Sequence, residues 1–169
     1  MNIYLTGFMG CGKSSIGKEL SSALNMAVSD TDALVQESTG MSIPEIFNQK
    51  GEAGFRKIES EILRSLPDKR LVVTGGGLAC SEENWNYMKQ NGYIVYIKVA
   101  APVLFERLRT DENRQKRPLI CKLNDKELND YIRQMLEQRE YFYRRADYVF
   151  QSPEQNLNIL IEKLKTIRL

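Results

Sequence analysis

Ile3-Tyr4-Leu5 is a short apolar run of the kind that makes a buried strand. A polar, glycine-rich stretch follows, and beyond it Ile16, Leu20 and Leu24 recur at helical spacing. That exchange of apolar run and helical stripe repeats to the end of the chain. It predicts strands over 2–6, 27–29, 71–74, 93–98 and 148–150. It predicts helices over 13–24, 32–38, 43–49, 52–65, 81–90, 102–109, 125–145 and 153–167. Short strands alternating with helices imply an α/β fold, a mostly parallel sheet covered on both faces. Ligands of such sheets bind outside the carboxyl ends of the strands. At 169 residues, one core and a single domain over 1–169 are expected. No internal repeat or low-complexity segment appears.

Two places break the pattern. From 110 to 124 there is little apolar periodicity, and Pro118 interrupts it. Arg107, Arg109, Arg114, Lys116, Arg117 and Lys122 crowd this region, opposed only by Asp111 and Glu112. A solvated loop accounts for such a run, and so does a basic lid that closes over a polyphosphate. The second break is Arg139. Leu128, Tyr131, Ile132, Met135 and Phe142 form one apolar stripe, and Arg139 falls in its middle. A guanidinium there needs an anionic partner, in a structural ion pair or a clamp on a bound carboxylate or phosphate, unless its side chain snorkels out to water.

Charge and composition narrow the classes. The net charge is +2, from 24 basic and 22 acidic side chains, which argues against a surface that coats nucleic acid. No stretch is apolar for long enough to span a bilayer. The first strand starts almost at once, so no signal peptide is expected. Cys11, Cys80 and Cys121 are scattered and make no metal or disulfide framework; free thiols in a reducing cytoplasm are the simplest account. The chain has no histidine, which excludes a Ser-His-Asp triad and any histidine-ligated metal.

The glycine-rich stretch carries the clearest chemistry. Gly7-Phe8-Met9-Gly10-Cys11-Gly12-Lys13-Ser14 reads G-x-x-x-x-G-K-[ST], the phosphate-binding loop. Gly7, Gly10 and Gly12 let backbone N–H groups curl around phosphate oxygens. Lys13 supplies positive charge to the β- and γ-phosphates, and the Ser14 hydroxyl suits a Mg²⁺ between them. Strand, loop and helix come in the order that aims a helix N-terminus at the anion. Ser15, in the first helical turn, is a further donor to phosphate.

Three other motifs follow predicted strands. Asp30-Thr31-Asp32 sets two carboxylates at a strand end. One suits a metal through water and the other a substrate hydroxyl, while helix capping explains the same residues without a substrate. Gly75-Gly76-Gly77 marks close backbone approach to a ligand, or a plain turn. Arg56 and Glu59 stand one helical turn apart, either a fixed anion clamp or a surface pair. Taken together these residues describe a small acceptor that carries a carboxylate and hydroxyls.

The ordered set resembles the shikimate kinase family over essentially the whole chain. The likeness rests on the 7–14 loop, Asp30-Thr31-Asp32, Phe55-Arg56 with Glu59, Gly75-Gly76-Gly77, Arg117-Pro118-Leu119, and Arg139 with Tyr141 and Tyr143. The resemblance implies ATP-dependent phosphorylation of the shikimate 3-hydroxyl, on the way to chorismate and the aromatic amino acids. It implies a P-loop fold of the nucleoside-monophosphate-kinase type, with a five-stranded parallel sheet in the order 2-3-1-4-5, an acceptor region over 32–60 and a lid over 110–124. By position, Asp32, Arg56, Gly76 and Arg139 would hold shikimate, with Gly75, Gly77 and Glu59 beside them. Asp32, Lys13 and Arg117 would be the catalytic groups. ATP would lie on Gly10, Cys11, Gly12, Lys13, Ser14 and Ser15. Arg109 and Arg117, and the Ser152-Pro153 turn, would complete its site. Mg²⁺ would be held by Ser14, with Asp30 behind it through water. The expected partners are these small molecules alone, with no nucleic acid and no membrane, for a monomer in the cytoplasm. Departures are Cys11 in the loop, a slightly long stretch over 109–117, and Ile120-Cys121 after Leu119. The alternatives are another small-molecule P-loop kinase, acting on gluconate or a nucleotide, and a non-catalytic nucleotide-binding module.

Overall fold

The computed structural model describes residues 1–115 and 117–167, with the backbone alone at 111 and 113. Lys116 and the Asp111 side chain, both counted in the basic segment, lie outside that description. The strands are β1 (Asn2–Thr6), β2 (Ala27–Asp30), β3 (Arg70–Val73), β4 (Gly92–Lys98) and β5 (Tyr148–Gln151). All pair in parallel, in the order β2-β3-β1-β4-β5. The order is the one expected.

The strands are apolar on both faces because both faces are covered. Ile3 and Leu5 of β1, Leu71 and Val73 of β3, and Val95 and Ile97 of β4 share one core cluster. Their neighbours Tyr4, Val72, Ile94 and Tyr96 point the other way into a second cluster with Trp85 and Met88. β1 sits in the middle and every one of its residues is buried.

Eight helices are described: α1 (Lys13–Leu24), α2 (Thr31–Thr39), α3 (Ile43–Ser65), α4 (Glu82–Asn91), α5 (Ala101–Leu108), α6 (Asp111–Gln115), α7 (Asp125–Tyr143) and α8 (Leu157–Lys165). The two helices predicted over 43–65 are both present, back to back in α3, and the backbone leaves helical geometry between them at Gly51 (φ 67°, ψ −180°). Ser42 and Glu45 start it with a reciprocal capping box. The helix predicted from 153 begins later. Asn156 caps it by accepting the Asn158 N–H, so the preceding residues stay a turn.

The unperiodic stretch over 110–124 is not structureless. It holds α6 and then tight turns in which Ile120 and Cys121 both donate backbone N–H to the Arg117 carbonyl (3.0 Å each). Ile120 is fully buried in the first core cluster beside Leu104, Leu108, Leu128 and Ile132. Arg114 ties the segment to the start of α7, through the Leu123 carbonyl (3.2 Å) and Asp125 (2.5 Å).

Candidate active site

Because all five strands run the same way, the segments after them meet at one edge. β1 delivers the 7–14 loop, β2 Asp30, β3 Thr74 to Gly77, and β5 Ser152. The β1–β3 pairing extends one step further, since Thr74 donates both its N–H and its hydroxyl to the Leu5 carbonyl (3.1 and 3.0 Å).

The first loop bends on positive φ at Gly7, Gly10 and Gly12 (146°, 77° and 95°). A Cβ at Gly7 would stand 2.6 Å from the Ile97 carbonyl oxygen, so β4 itself forbids a side chain there. Lys13 is almost wholly buried, and its ammonium donates to the Gly7 and Phe8 carbonyls (2.8 and 3.0 Å). Cys11 Sγ lies 3.5 Å from the same ammonium, in a residue only 1 % exposed. The Ser14 hydroxyl donates to Asp30 Oδ2 (3.3 Å). Asp30 Oδ1 meanwhile accepts the N–H groups of Asp32 and Ala33 (3.0 and 3.3 Å). The helix cap and the contact with the phosphate loop are thus made by one carboxylate.

Around this loop lies a cavity of about 600 Å³, walled by residues 9–16, Asp30, Asp32, Arg107, Leu108, Arg117 and Ser152. Next to it is a smaller cavity of about 110 Å³. Asp32, Arg56, Glu59, Gly75, Gly76, Gly77, Arg117 and Arg139 line it, with Ile43, Phe47, Phe55 and Leu119 as its apolar wall. Met9, Asp32, Gly76 and Arg117 belong to both. The cavity around the glycine-rich loop and the smaller cavity therefore meet at a carboxylate and a guanidinium.

The smaller cavity is strongly charged. Glu59 has no exposed surface; its Oε2 takes the Arg56 Nη1 (2.8 Å), and its Oε1 has no hydrogen-bond partner. Burial pushes the Glu59 carboxyl up to about 7, against the opposite pull of Arg56. Burial, and then the neighbouring Asp30 charge, also raise Asp32, while Lys13, Arg56 and Arg117 pull it back. The triple glycine is needed for room. A Cβ at Gly75 would collide with Glu59 Oε1 and stand 2.7 Å from Asp32 Oδ1, and one at Gly77 would stand 2.6 Å from the Arg56 guanidinium carbon. Arg139 sits within the apolar stripe, as expected, 5.4 Å over the Phe8 ring. Its Nη1 donates to the Gly76 carbonyl (3.1 Å).

A family model described as shikimate kinase matches residues 9–168. The chain belongs to the shikimate kinase family. A shikimate kinase of Sulfurihydrogenibium sp. is 38 % identical over 167 residues, covering 98 % of this chain and 96 % of its own. The crystal structure of a shikimate kinase from Bacteroides thetaiotaomicron superposes with a TM-score of 0.86 at 35 % identity, covering 98 % of this chain and 96 % of that one. A shikimate kinase from Acinetobacter baumannii, solved in complex with shikimate, gives 0.86 at 32 % identity, over 97 % and 90 %. The P-loop fold, transferase class and kinase character expected of a shikimate kinase follow from this membership.

Two of the candidates for ATP do not line the cavity around the loop. Arg109 ends α5, exposed and paired with Glu106 (3.0 Å), and Pro153 follows the wall residue Ser152. Sequence reasoning passed over Arg107, whose Nη1 holds the Gly10 carbonyl of the loop (3.1 Å), because it read as one more charge in a basic run. It also passed over Thr31, a fully buried residue whose hydroxyl accepts the Gly75 N–H (2.9 Å).

Proposed function

We propose that the chain transfers the γ-phosphoryl group of ATP to the 3-hydroxyl of shikimate, yielding shikimate 3-phosphate and ADP on the route to chorismate. The observation that carries this reading is the pair of adjoining cavities that share Asp32 and Arg117. A kinase needs its donor and acceptor in line across one point, with an acceptor for the proton and positive charge for the moving phosphoryl group.

The acceptor carboxylate pairs with the guanidinium groups of Arg56 and Arg139, and Glu59 fixes the first of these. Gly75, Gly76 and Gly77 bring backbone to the ring. Asp32 accepts the proton of the 3-hydroxyl as its oxygen bonds the γ-phosphorus, while the bond to the β,γ-bridging oxygen breaks and ADP leaves. A carboxylate raised by burial is better matched to this task than a solvated one. Lys13 and Arg117 neutralise charge on the transferring group, and closure of the segment around Arg117 over the bound substrates keeps water out.

Ser14 and Asp30 present hard oxygens 3.3 Å apart at the loop, a donor set that fits Mg²⁺ completed by water and phosphate oxygens. Mg²⁺ held there by Ser14, and by Asp30 through water, would withdraw charge from the phosphates. Gly10, Cys11, Gly12, Ser15, Ser152 and Pro153, with Arg109 at the rim, hold the rest of ATP. Residues 1–169 act as one domain in this reading, with an acceptor region over 32–60 and a lid over 110–124. It takes the protein as a cytoplasmic monomer that binds neither nucleic acid nor membrane. No described helix is long and apolar enough to cross a membrane. Sedimentation at assay concentration tests the monomer.

A coupled ADP-release assay over shikimate, gluconate, other hydroxy acids and nucleosides tests the activity. Turnover is expected with shikimate and Mg-ATP. Turnover with gluconate or a nucleotide, and none with shikimate, would end this reading.

A further inference from the structure

The 75–77 loop is tied down at its Gly75 N–H and at all three of its carbonyls. The Gly75 N–H reaches Thr31 (2.9 Å). The Gly75 carbonyl takes the Leu78 N–H (3.2 Å), and the Gly77 carbonyl takes the Cys80 N–H (3.0 Å). The Gly76 carbonyl takes no backbone N–H of the turn, only a long contact from the Cys80 thiol (3.9 Å). Two side chains of α7 converge on it instead: Tyr143 Oη donates at 2.6 Å and Arg139 Nη1 at 3.1 Å. Together they use both lone pairs of that oxygen. Among the described residues, the Gly76 and Gly77 N–H groups donate to nothing.

A peptide plane fixes one group when it fixes the other. The Gly76 carbonyl and the Gly77 N–H lie on opposite sides of one trans peptide. Holding the carbonyl toward α7 turns the Gly77 N–H away from α7, at a loop that lines the acceptor pocket. Between two glycines nothing else resists a peptide flip, because neither residue has a side chain to favour one orientation. A flipped plane would offer an anion a carbonyl oxygen in place of a donor.

We infer that Tyr143 is a positioning residue for the acceptor: its hydroxyl locks the Gly76–Gly77 peptide so that the Gly77 N–H stays directed at the substrate. This rests on the acceptor being shikimate, as proposed above. The placement of Tyr143 suits the task. It is fully buried, and its ring stacks on Tyr96 of β4 with centroids 4.8 Å apart. It lies one turn after Arg139 on the same face of α7. The arrangement also divides labour between the two donors. When the Arg139 guanidinium turns to a substrate carboxylate, the tyrosine keeps the peptide in place.

The test is Tyr143→Phe, which leaves the ring and its stacking. The KM for shikimate should rise about 3- to 10-fold, the scale of one buried hydrogen bond, with kcat and the KM for ATP within about twofold of wild type. An unchanged shikimate KM, or equal rises for both substrates, would overturn the inference. Tyr96→Phe removes only the bond from Tyr96 to Glu140 (3.1 Å) and should leave the shikimate KM alone. A rise matching that of Tyr143→Phe would mean general loosening and would count against the lock. If Tyr143→Phe does not fold, the wild-type Gly77 amide decides. Its NMR signal should gain protection from hydrogen exchange on adding shikimate, and no gain would overturn the inference. Failure of the shikimate reading shows separately, as a wild-type protein that turns over another acceptor.

Discussion

Glu59 is buried without a partner for one of its oxygens, and its charge is the costly state. With a carboxyl near 7 in the fold and 4.5 in the open chain, the folded protein keeps a proton that the unfolded chain has released. The stability this group adds is therefore complete below about pH 4.5 and is lost as pH climbs through 7. Acceptor binding runs the other way, because Arg56 gains its ionised partner only as that proton leaves. A kcat/KM profile for shikimate should rise through about pH 7, and Glu59→Gln should flatten that limb and lower its plateau. An identical limb in the variant would assign it elsewhere. Gly75 is under a different constraint, since any Cβ there strikes Glu59 and crowds Asp32. Gly75→Ala should reduce shikimate turnover at least about tenfold while nucleotide binding, followed by fluorescence titration, stays near wild type. Legibility at this scale depended on whether a residue looked out of place. Arg139 did, as a charge in an apolar stripe. Tyr143 and Thr31 did not, because an aromatic on a helix and a threonine between aspartates fit ordinary structural roles. Their importance lies in hydrogen bonds to backbone far away in sequence, which no local pattern encodes.

Elements show the same division. The strands and most helices were readable, since burial on both faces or on one stripe leaves a periodic trace. α6 left none, being five polar residues, and the turns after it depend on the burial of Ile120. That isoleucine looked like a departure from the family and is the anchor of the segment that carries Arg117. Ile120→Ala should cost about 2–5 kcal/mol in a melting experiment. In protein kept below its melting temperature, kcat should fall more than shikimate affinity, because charge placed on the moving phosphoryl group acts in the transition state. A destabilised variant with full kcat would separate the anchor from the lid. Arg114 gives the segment its second tether, at the start of α7. The expected break in helix over 43–65 falls at Gly51, a residue visible in the sequence.

Across the whole molecule, the sheet order was legible only through resemblance, because periodicity names strands without ordering them. The order matters for how the two halves of the site are held. β1 is paired on both sides and buried at every residue, and the phosphate loop grows from its end. β2 pairs with β3 alone, and Ala27 and Val28 are exposed, yet it brings Asp30 and leads directly into Asp32. Amides of β1 should accordingly exchange with solvent only when the entire protein opens, while those of β2 should exchange through smaller, more frequent openings. Equal protection of the two strands would disprove the contrast. Under that contrast, the phosphate loop would hang from the strand that opens last, while Asp30 and Asp32, which face it from the end of β2 and the start of α2, would follow an edge that opens more often.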